Sequence, residues 1–130
     1  MSHNTVLVAV TDIFFYTKIR DALLQQGYTL ERARSQEDIA AKASSAHPSA
    51  VILNMNDDRL DAFQALETLK ADPQSKTIPI LAFANHEEVD TWNRAKSLGV
   101  TKIVSRNEFS ARTKDLVEET IHGAGQGVQG

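Results

Sequence analysis

The sequence contains no cysteine. Disulfide scaffolding, thiol catalysis and thiolate metal sites are therefore excluded. Proline is scarce: Pro48, Pro73 and Pro79 all fall at or outside the ends of patterned segments, so none interrupts a predicted helix or strand. Glycine is nearly as scarce, and four of the six residues crowd into the tail GAGQGVQG, 123–130. The turn after the first apolar run reads VTDIFF, with no glycine, which argues against a phosphate or dinucleotide cradle there. Positive charge is in deficit, with 14 Lys and Arg against 17 Asp and Glu. That balance supplies no field to neutralise phosphates, so no nucleic-acid partner is expected. No apolar stretch approaches the ~20 residues of a membrane span. MSHNTVLVAV also lacks the basic flank and long apolar run of a signal peptide. The reading is a cytoplasmic chain without membrane contact.

What is present is ordered. The 130 residues suit one domain, large enough to bury a core without metals or disulfides. Five short apolar runs, TVLVAV (5–10), YTLERA (28–33), SAVILN (49–54), IPILAFA (78–84) and TKIVS (101–105), read as strands. Three are nearly continuous in aliphatic residues, as strands buried on both faces of a parallel sheet must be. YTLERA is weaker and belongs nearer an edge.

Segments of helical length separate them. Residues 12–26 place Phe15, Ile19 and Leu23 on one face, with Leu24 beside them, and end at Gly27. Ser35 and Asp38 approximate a capping box at the start of the next helix. Residues 61–71, 87–98 (ending at Gly99) and 108–121 complete the set. Strict β-α alternation with short connections implies right-handed crossovers. The fold class is therefore α/β, flavodoxin-like (βα)5, a five-stranded parallel sheet with helices on both faces. The expected domain covers 1–122, and 123–130 is expected to be a flexible glycine-rich tail. In this fold ligands bind at the carboxyl ends of the central strands.

Several stretches narrow the resemblance. SAVILN followed seven residues on by DAF, together with TIPILAF, AKSLGVTKIVSR and LLQQGYTL, resembles the third strand, fourth strand, fourth helix with fifth strand, and first helix end with second strand of response-regulator receiver domains. The resemblance runs from about residue 5 to 122. It implies that the family's two strand-end acids fall on Val10 and Thr11, with Asp12 one place too late. It places the phosphoacceptor on Asn54, the strand-end hydroxyl on Ala84, the lysine on Arg106 and the switch aromatic on Ile103. Every position that carries chemistry in the family differs. A neutral amide is a poor nucleophile, and Mg²⁺ is held through carboxylates that Val10 and Thr11 do not supply. No catalytic residue, metal or cofactor is expected, and Asn54 reads as the remains of a phosphorylation site.

The resemblance thus implies a pseudo-receiver: a phosphorylation-independent module binding a protein such as a signalling kinase, an output protein or a second copy of itself. The expected partner surface is the helix 87–98, the fifth strand and the last helix, marked by Val89, Trp92 and Ile103. Trp92 itself reads equally as core or as interface anchor. Two alternatives stand beside this reading. Asp12, Asn54 and Arg106 could converge on a small ligand, or Asp57 or Asp58 could be phosphorylated instead. The acids Asp57, Asp58 and Asp61 read as a solvated loop with Asp61 as helix N-cap. Asp12 also reads as an N-cap. Arg106 is expected to tie Asp12 and Asn54 across the pocket. His3, His47, His86 and His122 are scattered and read as surface residues.

Overall fold

A computed structural model describes residues 4–126 of the chain, with side chains through residue 122. The elements are β1 (Thr5–Ala9), α1 (Ile13–Leu24), β2 (Thr29–Arg32), α2 (Gln36–Ala46), β3 (Ala50–Asn54), α3 (Ala62–Ala71), β4 (Ile80–Ala84), α4 (Val89–Ser97), β5 (Lys102–Ser105), α5 (Arg106–Ala111) and α6 (Thr113–Gln126). All strands are parallel, in the order β2-β1-β3-β4-β5. The chain steps outward from β1 to β2, then crosses back to β3. The switch between β1 and β3 opens a crevice at their carboxyl ends.

Side-chain alternation divides the core into two layers. Leu7, Ala9, Val51, Leu53, Ile80 and Ala82 face a cluster completed by Ile39, Leu66, Leu69 and Ala95 from α2, α3 and α4. Val6, Val8, Ile52, Leu81 and Phe83 face the other way, onto Ile19, Leu23, Phe109, Leu116 and Val117 from α1, α5 and α6. The three central strands β1, β3 and β4 are almost wholly buried, as their continuous apolar runs require. The edge strands are shorter and half-buried. Each bears charge: Glu31 and Arg32 on β2, Lys102 on β5.

Local signals set the helix ends. Asp12 caps α1, accepting from the amides of Phe14 and Phe15. Ser35 and Asp61 cap α2 and α3 in the same way. Gly27 and Gly99 follow α1 and α4 with φ of 89° and 102°, values that only glycine adopts without strain. His47 closes α2 in the left-handed region and is exposed, as are His86 and His122. His3 lies outside the described residues.

Three sequence expectations require correction. Leu24 does not share the buried face of α1; it is half-exposed, because the helix turns its face past Leu23. The single helix expected over 108–121 is two. Arg112 departs from helical geometry between α5 and α6, and α5 begins early because the Ser105 hydroxyl accepts from the Glu108 amide. Finally, α6 continues through Gln126, into the stretch assigned to the tail, whose last four residues lie outside the described residues.

Beneath the crevice, Phe83 stacks on Phe109 with centroids 4.5 Å apart, and Phe15 leans on both at 5.1 and 5.8 Å. Phe109 is fully buried. Phe109→Ala should therefore cost about 3–5 kcal/mol of stability, measured by denaturant unfolding. A loss below about 1 kcal/mol would show that the cluster is not a packing centre.

Candidate functional site

The crevice at the strand ends is a polar cavity of about 460 Å³, lined by Thr11, Asp12, Asn54, Asn56, Asp57, Asp58, Arg59, Asn85 and Arg106. Val10, at the end of β1, contributes nothing polar. Its side chain is fully buried in the α1-facing core. Ala84 closes β4 with its methyl in the opposite core layer. Asn54 ends β3 nearly buried, and its Oδ1 accepts from the Asn56 amide at 2.9 Å. That bond commits the oxygen to the chain's own turn. The Asn54 NH2 group is what remains to meet anything in the cavity.

Asp57 is the best-bonded side chain in the crevice. Oδ1 accepts from the Thr11 hydroxyl at 2.8 Å and from the amides of Arg59 and Leu60 at 2.9 and 3.1 Å. Oδ2 accepts from the Thr11 amide at 2.9 Å. The reading of Asp57 as part of a solvated loop is therefore corrected. It folds inward, half-buried, because an aspartate two residues before a free amide readily closes an Asx turn. Asp58 and Asp61 stay exposed, Asp61 as the cap of α3.

Arg106 lies at the first turn of α5, half-exposed. Its guanidinium stands 3.8 Å from Asp12 Oδ2 and 4.6 Å over the Phe15 ring. It ties the end of β5 to the start of α1, as expected for Asp12. The expected tie to Asn54 is not made, since Asn54 is engaged with Asn56. An ion pair this exposed contributes little to stability, and the stacking on Phe15 adds a second contact of similarly modest size.

The second layer of the site was not legible as such in the sequence. Asn56 Nδ2 donates to Glu88 Oε1 at 2.7 Å, and Asn56 Oδ1 accepts from the Asn85 amide at 2.9 Å. Asn85 Nδ2 and Thr91 Oγ1 also donate to Glu88. Hydrogen bonds from Asn56, Asn85 and Thr91 hold the Glu88 carboxyl below the usual carboxylate range. Asparagines in two successive β-α loops were a signal available from the sequence, but it had no partner until the loops met. Trp92 is half-buried against the α2, α3 and α4 core layer, its indole N–H donating to the Asn85 carbonyl at 3.0 Å. Ile103 packs against the same layer, while Val89 is 62% exposed.

This geometry defines a class first: a doubly wound parallel (βα)5 domain whose polar site lies at the β1/β3 switch. The comparisons then give the fold its name, which is that of response-regulator receiver domains. A CheY-like receiver domain protein from Methanospirillum hungatei superposes with a TM-score of 0.82 at 13% identity, covering 96% of this chain and 98% of its own. The chemotaxis protein CheY4 of Vibrio cholerae gives 0.81 at 19%, over 92% and 99%. The phosphorylated cyanobacterial phytochrome response regulator RcpA gives 0.80 at 17%, over 92% and 95%. No family model matches the chain, and no curated protein matches it. Among the described residues no three His, Cys, Asp or Glu side chains converge as a metal site would require, and no helix is long and apolar enough to cross a membrane.

Two outcomes follow from the site. Asp57→Ala removes the acceptor of four hydrogen bonds and strands the Thr11 donors. It should cost about 2–3 kcal/mol, read by denaturant unfolding, and an effect within 0.5 kcal/mol, roughly that of an ordinary surface substitution, would contradict the role. Glu88 is bonded in its charged form, so its folded value lies below the unfolded one of about 4.3. Its contribution is full above that unfolded value and fades as pH falls through the folded one. The stability difference between the protein and Glu88→Ala should accordingly shrink on acidification below about pH 4.3. A difference that widens would contradict this sign.

Proposed function

We propose that the chain is a non-phosphorylatable pseudo-receiver acting as a protein–protein interaction module in signalling, without enzymatic activity of its own. The observation that carries the reading is the end of β3. An amide, Asn54, stands there, and the residues that follow β1 beside it are the buried Val10 and Thr11 with its hydroxyl. Forming an acyl phosphate at this strand end needs a carboxylate nucleophile, which an amide does not supply, and a magnesium ion there is held largely through carboxylate oxygens. Asp57 is not a substitute nucleophile, because four donors already occupy its oxygens. Asp58 is exposed on the rim of the cavity.

The partner face is assigned to α4, β5 and α6. Exposed Val89, half-buried Trp92 and half-buried Ile103 supply apolar area along it. Tryptophan with part of its surface free is a common interface anchor. The partner is a signalling protein or a second copy of the chain. One observation favours a second reading, a small-ligand-binding domain on the same fold: the cavity is open, polar and lined by both Arg59 and Arg106.

Incubation with a small-molecule phosphodonor and Mg²⁺, followed by intact-mass measurement, should show no added phosphoryl group. Asn54→Asp alone should remain unmodified, because Val10 and Thr11 still leave the cation without its cage. Stoichiometric phosphorylation of the unaltered chain would overturn the proposal.

A further inference from the structure

The β3–α3 and β4–α4 loops meet over the mouth of the cavity, and side chains make much of the contact. Asn56 donates to Glu88 and accepts from the Asn85 amide; Asn85 in turn donates to Glu88 through its side chain. The Asn85 carbonyl accepts from the Trp92 indole. One hydrogen-bonded path thus runs from the cavity wall to the half-buried tryptophan of α4.

Glu88 is the pivot of this path, and its geometry is unusual. It occupies the N-cap position of α4, where a side-chain oxygen ordinarily accepts from amides of the first helical turn. Its carboxylate makes no such bond. It turns across to Asn56 of the neighbouring loop and takes further donors from Asn85 and Thr91. The depressed carboxyl value agrees with an acceptor engaged in its charged form.

We infer that Asn56, Asn85 and Glu88 form a latch that sets the first turn of α4 and the orientation of Trp92 with no ligand and no covalent modification. The inference rests on the proposed function only in taking the α4 face as its output; the latch itself is a property of the isolated chain. Its bonds lie at the surface, so it belongs to the low-stability end of the fold and can open without global unfolding. Asn56 and Asn85 also line the cavity. A polar group entering there competes with Glu88 for the Asn56 amide, so occupancy of the cavity is felt at Trp92.

The chain has a single tryptophan, so its fluorescence reports the latch directly. Glu88→Ala should shift the Trp92 emission to the red and raise amide exchange over residues 85–92 by roughly tenfold, while exchange in β1 and α2 stays unchanged. Asn56→Ala, which opens the latch from the other loop, should give the same signature. The double variant should fall short of the sum of the two single ones, because both remove the shared Asn56–Glu88 bond. Glu88→Gln keeps a carbonyl oxygen for Asn56 and should fall between the protein and Glu88→Ala. Unchanged emission and exchange in both alanine variants would overturn the latch, whatever the phosphodonor experiment gives. Exchange raised equally throughout the sheet would overturn it too, as general destabilisation.

Discussion

The carboxylate of Asp57 is the constraint on which the crevice depends. It gathers the Thr11 amide and hydroxyl from the end of β1 and two amides from its own turn. Without it, the start of the β3–α3 loop would lose its side-chain bonds to the segment that follows β1, leaving the Asn56–Glu88 and Arg106–Asp12 contacts to tie the other loops of the mouth. Charge-assisted bonds of this kind are stronger than neutral ones. Here one anion serves both sides of the topological switch. Asn56 leaves the same turn already fixed, and so can reach Glu88.

The electrostatics of the crevice follow from what stands there. Several carboxylates converging on one point repel each other unless a cation sits among them. In this chain the strand ends carry Val10, Thr11 and Asn54, which are neutral. Two of the three acids that line the cavity are compensated: Asp12 by helix amides and Arg106, and Asp57 by its four donors; Asp58 is exposed. A site built this way is stable as it stands.

Much of the architecture was legible because short aliphatic runs rich in β-branched residues and bounded by polar segments fit strands buried on both faces, and because Asp12, Ser35, Asp61, Gly27 and Gly99 punctuate helices by local chemistry. The identity of the strand-end residues could be read by counting. What could not be read was where polar side chains of different loops meet. Asp57 reads as a surface acid until β1 is placed beside β3, and Glu88 falls unmarked inside the helix expected over 87–98 until Asn56 lies opposite it. The split between α5 and α6 escaped notice for a different reason. The Ser105 cap starts a helix at Arg106 whose apolar residue Phe109 also suits the longer helix.

The two edges of the sheet carry a consequence for the chain before it is fully folded. β2 and β5 are four residues each, and both present charge: Glu31 and Arg32 on one, Lys102, paired with Glu119, on the other. Short, charged margins are poor templates for a passing strand. The sticky segments, β1, β3 and β4, are enclosed between them once the sheet has formed. A crowded solution of partly folded copies would therefore find few places to zip together, and encounters between finished molecules are left to the helices.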